Sequence, residues 1–195
     1  MLRVLGGTAK GMNLKMPGGG KTRPAMSRVK ESLFSILMNR LPGARVLDLF
    51  AGSGSVGIEA LSRGASSGAF VDTSSECVQT IRANLEKTRL LAISRVYRDD
   101  CLKFVRTRNL DPFDLVFIDP PYLKGLLEPI LDALPDSVLF HARTLFIIER
   151  QKKDDLGLAR RPRLEAVDER NYGDTVLTIF RLRPEPSAPP EVLVE

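Results

Sequence analysis

The chain has 195 residues, 43% of them hydrophobic, and a formal net charge of +5. This length allows one domain with a proper core and a small appendage, and no apolar run approaches the ~20 residues of a membrane-spanning helix. The two cysteines, Cys77 and Cys101, lack Cys-x-x-Cys spacing, and His141 is the single histidine, which argues against a zinc site or a disulfide framework. The Met1-Leu2-Arg3 start has no signal-peptide pattern, so we expect a cytoplasmic protein without a metal.

Positive charge is concentrated at the N-terminal end. The first 45 residues contain nine lysines and arginines against one acid, Glu31. A short apolar run at 2–5, a glycine-containing turn and an alternating stretch at 12–16 predict a basic β-hairpin arm over residues 1–21. A one-signed segment of this kind is typical of proteins that bind a polyanion. The candidate contacts to that polyanion are Arg3, Lys10, Lys15, Arg23 and Arg28.

From residue 45 onward, β-rich apolar runs alternate with stretches of helical spacing. Five strands are predicted at 46–50, 68–72, 94–98, 115–118 and 144–149, and a closing antiparallel pair at 164–167 and 176–180. Alternating strands and helices predict an α/β fold with a doubly wound, mostly parallel sheet. We assign this domain to residues 22–183 and expect the proline-rich tail, 184–195, to be disordered.

A glycine-rich loop joins the first strand to its helix. Gly52, Gly54 and Gly57 fit the G-x-G-x-x-G pattern, which by itself indicates a dinucleotide site. Asp48, inside the preceding strand, favours S-adenosylmethionine over NAD because a carboxylate there can face an ammonium group but would repel a pyrophosphate. The chain also lacks room for a separate substrate domain.

Acidic residues follow successive predicted strands. Asp72, twenty residues after Gly52, can accept hydrogen bonds from both ribose hydroxyls, and Asp100 can accept one from the adenine amine. Each acid could instead cap a helix or order a turn. The predicted cofactor contacts are Asp48, Phe50, Ala51, Gly52, Gly54, Asp72, Asp100 and Cys101.

The fourth predicted strand ends in the tetrad Asp119-Pro120-Pro121-Tyr122. Two prolines stop the strand at the sheet edge where ligands of open α/β sheets bind. An exocyclic base amine is a poor nucleophile because its lone pair is delocalised. Asp119 and the Pro120 carbonyl can accept its N–H bonds and aim that lone pair, while Tyr122 can stack on the base. The competing interpretation is an ordinary turn with a surface tyrosine.

Several motifs together resemble the RsmD family of bacterial methyltransferases. They are Thr22-Arg23-Pro24, Arg28 to Phe34, Leu47 to Gly54, Gly57 to Ala65, Asp119 to Tyr122 and Arg170 to Thr175. The resemblance implies a class I S-adenosylmethionine methyltransferase fold, Rossmann-like, with an N-terminal hairpin extension. It implies methylation of the 2-amino group of a guanine in 16S ribosomal RNA of the small subunit. Asp119, Pro120 and Tyr122 would be catalytic, and Pro121, Arg170 and Tyr172 would contact the substrate.

Other functions stay open at this point. An adenine-amino DNA methyltransferase uses the same tetrad but usually needs a large target-recognition domain, and a protein-glutamine methyltransferase usually has asparagine in place of Asp119. An NAD-binding oxidoreductase and a non-catalytic RNA-binding module are alternatives from other classes. The tetrad does not decide between guanine and adenine, and we expect a monomer.

Overall fold

A computed structural model describes residues 2–19, 24–120 and 125–184, with the backbone alone for residues 24–28. The strands are β1 (Arg45–Leu49), β2 (Ser67–Asp72), β3 (Ser94–Arg98), β4 (Phe113–Ile118), β5 (Phe140–Gln151), β6 (Leu164–Tyr172) and β7 (Thr175–Leu182). The helices are α1 (Pro24–Ile36), α2 (Ser55–Ser62), α3 (Ser75–Lys87), α4 (Cys101–Thr107) and α5 (Leu127–Ala133).

The strands form one sheet in the order β3-β2-β1-β4-β5-β7-β6. Strands β1 to β5 pair in parallel, and β7 is antiparallel to both of its neighbours. The predicted fold class is therefore confirmed, including the antiparallel closing strands. The direction of winding reverses between β1 and β4, and in such sheets the crevice at the carboxyl ends of these two strands is the ligand-binding position.

Helices cover both faces of the sheet, so the chain has two cores. The first core lies under α1, α2 and α3 and contains Phe34, Phe70 and Ile81. The second lies under α4 and α5 and contains Phe104 and Phe146. Burial on both faces explains why the central strands are nearly continuous apolar runs. Within the described ranges, no helix is long and apolar enough to cross a bilayer.

Strand β5 is longer than the sequence predicts. The apolar pattern begins at Thr144, whereas the strand begins at Phe140, across a polar stretch that breaks the alternation. Phe140 pairs with Phe113, and the register then shifts before Leu145 pairs with Leu115. An irregularity of this kind interrupts the side-chain period that sequence patterns rely on.

The N-terminal segment packs against the domain. Val4 N–H donates to the Met12 carbonyl at 3.0 Å and Leu14 N–H to the Leu2 carbonyl at 2.8 Å, so the two predicted hairpin strands lie side by side. Val4, Ala9 and Leu14 are buried in the first core. The division into an arm at 1–21 and a domain at 22–183 stays a prediction, since residues 20–23 and 185–195 lie outside the described part of the chain.

A close backbone contact fixes the turn of this segment on the end of α2. Gly7 has a φ of 76°, and a Cβ at that position would lie 1.7 Å from the Ser62 carbonyl oxygen. Glycine is therefore required there. Ser62 also donates its hydroxyl to the Gly6 carbonyl at 2.6 Å and accepts a hydrogen bond from Ala9 N–H at 2.9 Å.

The fully buried carboxylate of Glu59, in α2, joins three parts of the chain. It accepts hydrogen bonds from the backbone N–H groups of Leu5 at 2.7 Å and Gly6 at 2.8 Å. Arg63 Nε donates to it at 2.7 Å, and Lys30 Nζ, in α1, lies 3.3 Å away. A buried charge with this many donors is compensated, whereas removing it would leave buried donors unpaired.

We expect Glu59→Gln to lower the free energy of unfolding by about 3–5 kcal/mol, because a neutral amide turns a donor toward groups that are themselves donors. Urea unfolding followed by circular dichroism measures this loss. Glu86→Gln, on the exposed face of α3, is the matched control and should change stability by no more than about 0.5 kcal/mol. A Glu59→Gln protein as stable as this control would contradict the role of the carboxylate.

Candidate active site

The turn after β1 brings the backbone to the carboxyl edge of the sheet. Phe50, Gly52 and Gly54 all have left-handed backbone conformations, with φ values of 59°, 54° and 75°. This conformation is uncommon for a bulky side chain, and such strain is typically found at functional sites. Gly54 is also the N-cap residue of α2, so the loop leads directly into a helix N-terminus.

Two of the predicted cofactor acids hold this turn in place. Asp72 accepts a hydrogen bond from Gly52 N–H through Oδ2 at 2.9 Å and one from Ser74 N–H through Oδ1 at 2.9 Å. Asp48 Oδ2 accepts from Gly57 N–H at 3.0 Å. Each carboxylate oxygen has a further lone pair, so these contacts leave both acids able to accept hydrogen bonds from a ligand.

Asp48 is a buried acid with one backbone donor. It is 4% exposed, and burial raises its pKa to about 8, although the Gly57 N–H opposes the shift and the charges of Asp119 and Asp72 add to it. An acid in this state favours a cationic group beside it, because a neighbouring positive charge stabilises the ionised form.

A cleft of about 240 Å³ opens at this edge of the sheet. Its lining combines the glycine loop, the N-terminal segment and the ends of β4 and β5, namely Leu2, Arg3, Met16, Pro17, Lys30, Asp48, Phe50, Ala51, Gly52, Ser53, Ser55, Val56, Asp119 and Glu149. Two larger clefts, of about 370 and 600 Å³, lie at the amino ends of the strands. Their linings contain no residue of the glycine loop, so the smaller cleft is the one that fits the topology.

Asp119 and Glu149 lie side by side at the floor of this cleft. The pairing of Ile118 with Ile148 in the parallel strands β4 and β5 places Asp119, the residue after β4, beside Glu149 near the carboxyl end of β5. Water reaches the Asp119 side chain from the open side, while protein surrounds it on the others. Burial, and then the negative charge of Glu149, raise the pKa of Asp119 to about 7. Burial also raises the pKa of Glu149.

The two remaining cofactor candidates lie at the start of α4. Asp100 is its N-cap residue and accepts a hydrogen bond from Lys103 N–H at 2.8 Å through one carboxylate oxygen. Cys101 is buried, and burial raises the pKa of its thiol to about 12, although a hydrogen bond from the Phe50 backbone opposes this rise. The thiol therefore supports the turn and is not a reactive group.

The basic residues of the N-terminal segment occupy different places. Arg3 lines the cleft. The backbone of Lys15 is held by the buried Asn84, whose side chain accepts from Lys15 N–H at 2.8 Å and donates to the Ser53 carbonyl at 2.9 Å. Lys10, in contrast, follows the turn that docks on Ser62, at the end of α2 away from the cleft.

The tip of the β6–β7 hairpin lies at the same edge of the sheet. The hydroxyl groups of Tyr172 and Ser32 hydrogen bond, which joins the hairpin to α1. Arg170 is exposed and pairs with Asp168, with 3.0 Å between Nε and Oδ1. Of the other substrate and catalytic candidates, Arg23, Pro121 and Tyr122 lie outside the described residues, as does the side chain of Arg28.

Sequence reasoning missed three residues that shape the site. Glu149 lies inside β5, two residues before its end, and belongs to no motif, so its one signal is that it follows the apolar run of β5 as Asp119 follows that of β4. Asn84 and Lys30 sit inside helices, and both contact the N-terminal segment, Asn84 at Lys15 and Lys30 through a 3.1 Å hydrogen bond to the Arg3 carbonyl. Such contacts between distant parts of the chain leave no periodic pattern.

The strand order, the glycine turn and the acids at successive strand ends define a class I methyltransferase fold, which takes a methyl donor of the S-adenosylmethionine type. The solved structure of Escherichia coli yhhF superposes with a TM-score of 0.80 at 29% identity, covering 92% of this chain and 97% of that one.

Sequence comparison gives the family. The family described as "Conserved hypothetical protein 95" matches residues 2–181. Bacillus subtilis YlbH is 36% identical over 157 residues, 80% of this chain and 85% of the relative. The Escherichia coli "Ribosomal RNA small subunit methyltransferase D" is 33% identical over 155 residues, 80% of this chain and 77% of the relative. The chain belongs to this family, which confirms the resemblance found in its motifs.

Coupling between the two acids of the cleft floor can be measured directly. We expect Glu149→Gln to lower the pKa of Asp119 from about 7, because the substitution removes the neighbouring negative charge that disfavours ionisation. Carboxyl-carbon NMR titration of Asp119 in both proteins measures the shift. Glu165→Gln, at an exposed ion pair with Arg181 on the closing hairpin, should leave it unchanged. Equal Asp119 titration curves in all three proteins would refute the coupling.

Proposed function

We propose that the chain transfers a methyl group from S-adenosylmethionine to the 2-amino group of a guanine in 16S rRNA of the small ribosomal subunit. The main support for this proposal is that the glycine turn and Asp119 line the same cleft. Family membership adds the substrate class, since the Escherichia coli relative is named as a small-subunit rRNA methyltransferase. The choice of guanine comes from the resemblance of the motifs.

The residues present fit the proposed cofactor. The left-handed turn at Phe50, Gly52 and Gly54 lets a ligand approach the backbone closely. Asp48 would hold the ammonium group, whose charge offsets the cost of a buried carboxylate. Asp72 would hold the ribose hydroxyls. When bound, S-adenosylmethionine supplies a methyl group on a positively charged sulfur with a neutral thioether as leaving group. A dinucleotide would instead place a pyrophosphate near the buried Asp48, which disfavours the oxidoreductase alternative.

The part of Asp119 in this reaction is to orient the nucleophile. Its carboxylate would accept one N–H of the guanine amine, and the Pro120 carbonyl would accept the other, which directs the nitrogen lone pair out of the ring plane. Orientation of this kind can supply about 7–11 kcal/mol of the barrier reduction. After methyl transfer the amine carries an extra proton, which the Asp119 carboxylate, with a pKa of about 7, would accept.

The base must leave its stack to reach the cleft, since the amine of a stacked guanine is out of reach. Tyr122 would then stack on the extruded base, worth about 1–3 kcal/mol. Arg3 and Lys15 would contact RNA phosphates at the rim, because Arg3 lines the cleft and Lys15 is fixed beside the glycine turn through Asn84.

We expect Asp119→Ala to lower methyl transfer by about 100-fold or more, because the amine is no longer held in line. The affinity for S-adenosylhomocysteine should change little, since the predicted cofactor contacts lie on β1, the glycine turn, β2 and the start of α4. Methyl incorporation into unmethylated small subunits and isothermal titration measure the two quantities. Asp111→Ala, an exposed acid before β4, serves as control. Near-normal turnover of Asp119→Ala would overturn the assigned role.

Substitution of the two lysines of the N-terminal segment distinguishes the effect of a charge at one position from the effect of net charge on RNA binding. Lys15→Glu should weaken RNA binding and lower the slope of log Kd against log salt concentration by at least about 0.7, the value for one phosphate contact. Lys10→Glu changes the net charge equally, but this residue follows the turn docked on Ser62, so it should have the smaller effect. Filter binding at several salt concentrations measures both. Equal effects would show that overall charge, and not the position of Lys15, determines binding.

A further inference from the structure

Two carboxylates meet in the cleft, Asp119 and Glu149. Asp119 follows β4 and Glu149 lies beside it in the adjacent parallel strand β5, and the spacing of such strands is about 4.8 Å. Within the described ranges, no hydrogen bond or ion pair from the protein reaches either carboxylate. Glu59 shows the contrast, since four donors surround it in the same domain.

This arrangement is unfavourable for the free protein. Two neighbouring carboxylates repel each other, and partial burial removes part of the water that would stabilise them. A ligand that brings several N–H donors into the cleft relieves both costs. A divalent cation would relieve them too, but the described part of the chain holds no cluster of three or more metal-ligating side chains.

We propose that Glu149 selects guanine by accepting a hydrogen bond from the ring N1–H, beside the amine that Asp119 orients. This inference rests on the proposed function and adds to it the residue that decides which base is methylated. Guanine presents three N–H donors on this edge, one on N1 and two on the amine. The Glu149 and Asp119 carboxylates of the cleft lining would accept two of them, and the carbonyl of Pro120, the residue after Asp119, would accept the third.

Adenine fails at the same position for an electrostatic reason. Its N1 has a lone pair and no hydrogen, so that lone pair would face the Glu149 carboxylate. A site whose polar groups are left unpaired, or face like partial charges, rejects the wrong ligand strongly. The tetrad from Asp119 to Tyr122 accommodates either amine, and Glu149 supplies the discrimination that the tetrad lacks.

The probe for this inference is 2-aminopurine, which keeps the 2-amino group but has an unprotonated N1. The position that the wild-type protein methylates is first located by mass spectrometry of small-subunit RNA. Small subunits are then reconstituted with guanine or 2-aminopurine at that position, and methyl transfer is measured on both.

We expect the wild-type protein to prefer guanine by about 10- to 100-fold, the range that one base-edge contact provides. Glu149→Gln should narrow this preference by about tenfold, because its amide can donate to the bare N1 of 2-aminopurine. The melting temperature of Glu149→Gln should equal or exceed that of the wild type, since a repulsive charge is lost. A purely structural role would instead lower the melting temperature.

The control is Glu165→Gln, which removes the same charge from an exposed ion pair and should keep the full guanine preference. If the wild-type protein methylates guanine and Glu149→Gln keeps the wild-type ratio, even at lower rates on both substrates, the role of Glu149 is overturned and the proposed function stands. If the wild-type protein methylates no guanine in unmethylated subunits, the proposed function falls and the role of Glu149 falls with it.

Discussion

The buried carboxylate of Glu59 is the contact on which the shape of the cleft depends. It binds the backbone of the N-terminal segment at Leu5 and Gly6 and pairs with Lys30 of α1. Lys30 in turn donates a hydrogen bond to the Arg3 carbonyl. Both Lys30 and Arg3 line the cleft. Because one charge satisfies donors from three parts of the chain, these parts must come together for any of them to be satisfied.

The acids of this domain divide into two groups by their partners. Glu59 accepts hydrogen bonds from backbone and side-chain donors, and Asp72 accepts one backbone hydrogen bond on each oxygen, so both hold the structure. Asp119 and Glu149 have raised pKa values from burial and, for Asp119, from the neighbouring charge as well. Acids whose environment disfavours their own charge are concentrated where a ligand completes the environment. Within the described part of the chain, the lack of protein donors thus marks Asp119 and Glu149 as candidate ligand-binding acids without reference to any motif, whereas Asp72 can hold the turn and still accept from a ligand.

Much of this organisation could be predicted from the sequence, because it depends on local patterns. The alternation of strands and helices predicts the parallel sheet, and the acids at strand ends predict the edge where the site lies. The place of Glu149 could not be read in this way, since it follows from β5 pairing with β4. Lys10 and Lys15 look equivalent in the sequence, and docking of the turn on Ser62 separates them. Long-range contacts, which leave no periodic signal, account for what was missed.

Charge in this site is unevenly distributed. Three acids, Asp48, Asp119 and Glu149, line the cleft, whereas the exposed Arg3 and Lys15 lie on the N-terminal segment beside it, and the buried Lys30 of the lining is paired with Glu59. RNA phosphates are attracted to the exposed basic residues and repelled from the acids, so the field favours entry of a base and opposes entry of its backbone. The acids then stabilise groups that carry positive charge or N–H donors, and a cationic methyl donor and the amine edge of a base both do. Acids in the cleft and bases beside it would therefore serve both the proposed cofactor and the proposed substrate, and they would disfavour an anionic cofactor.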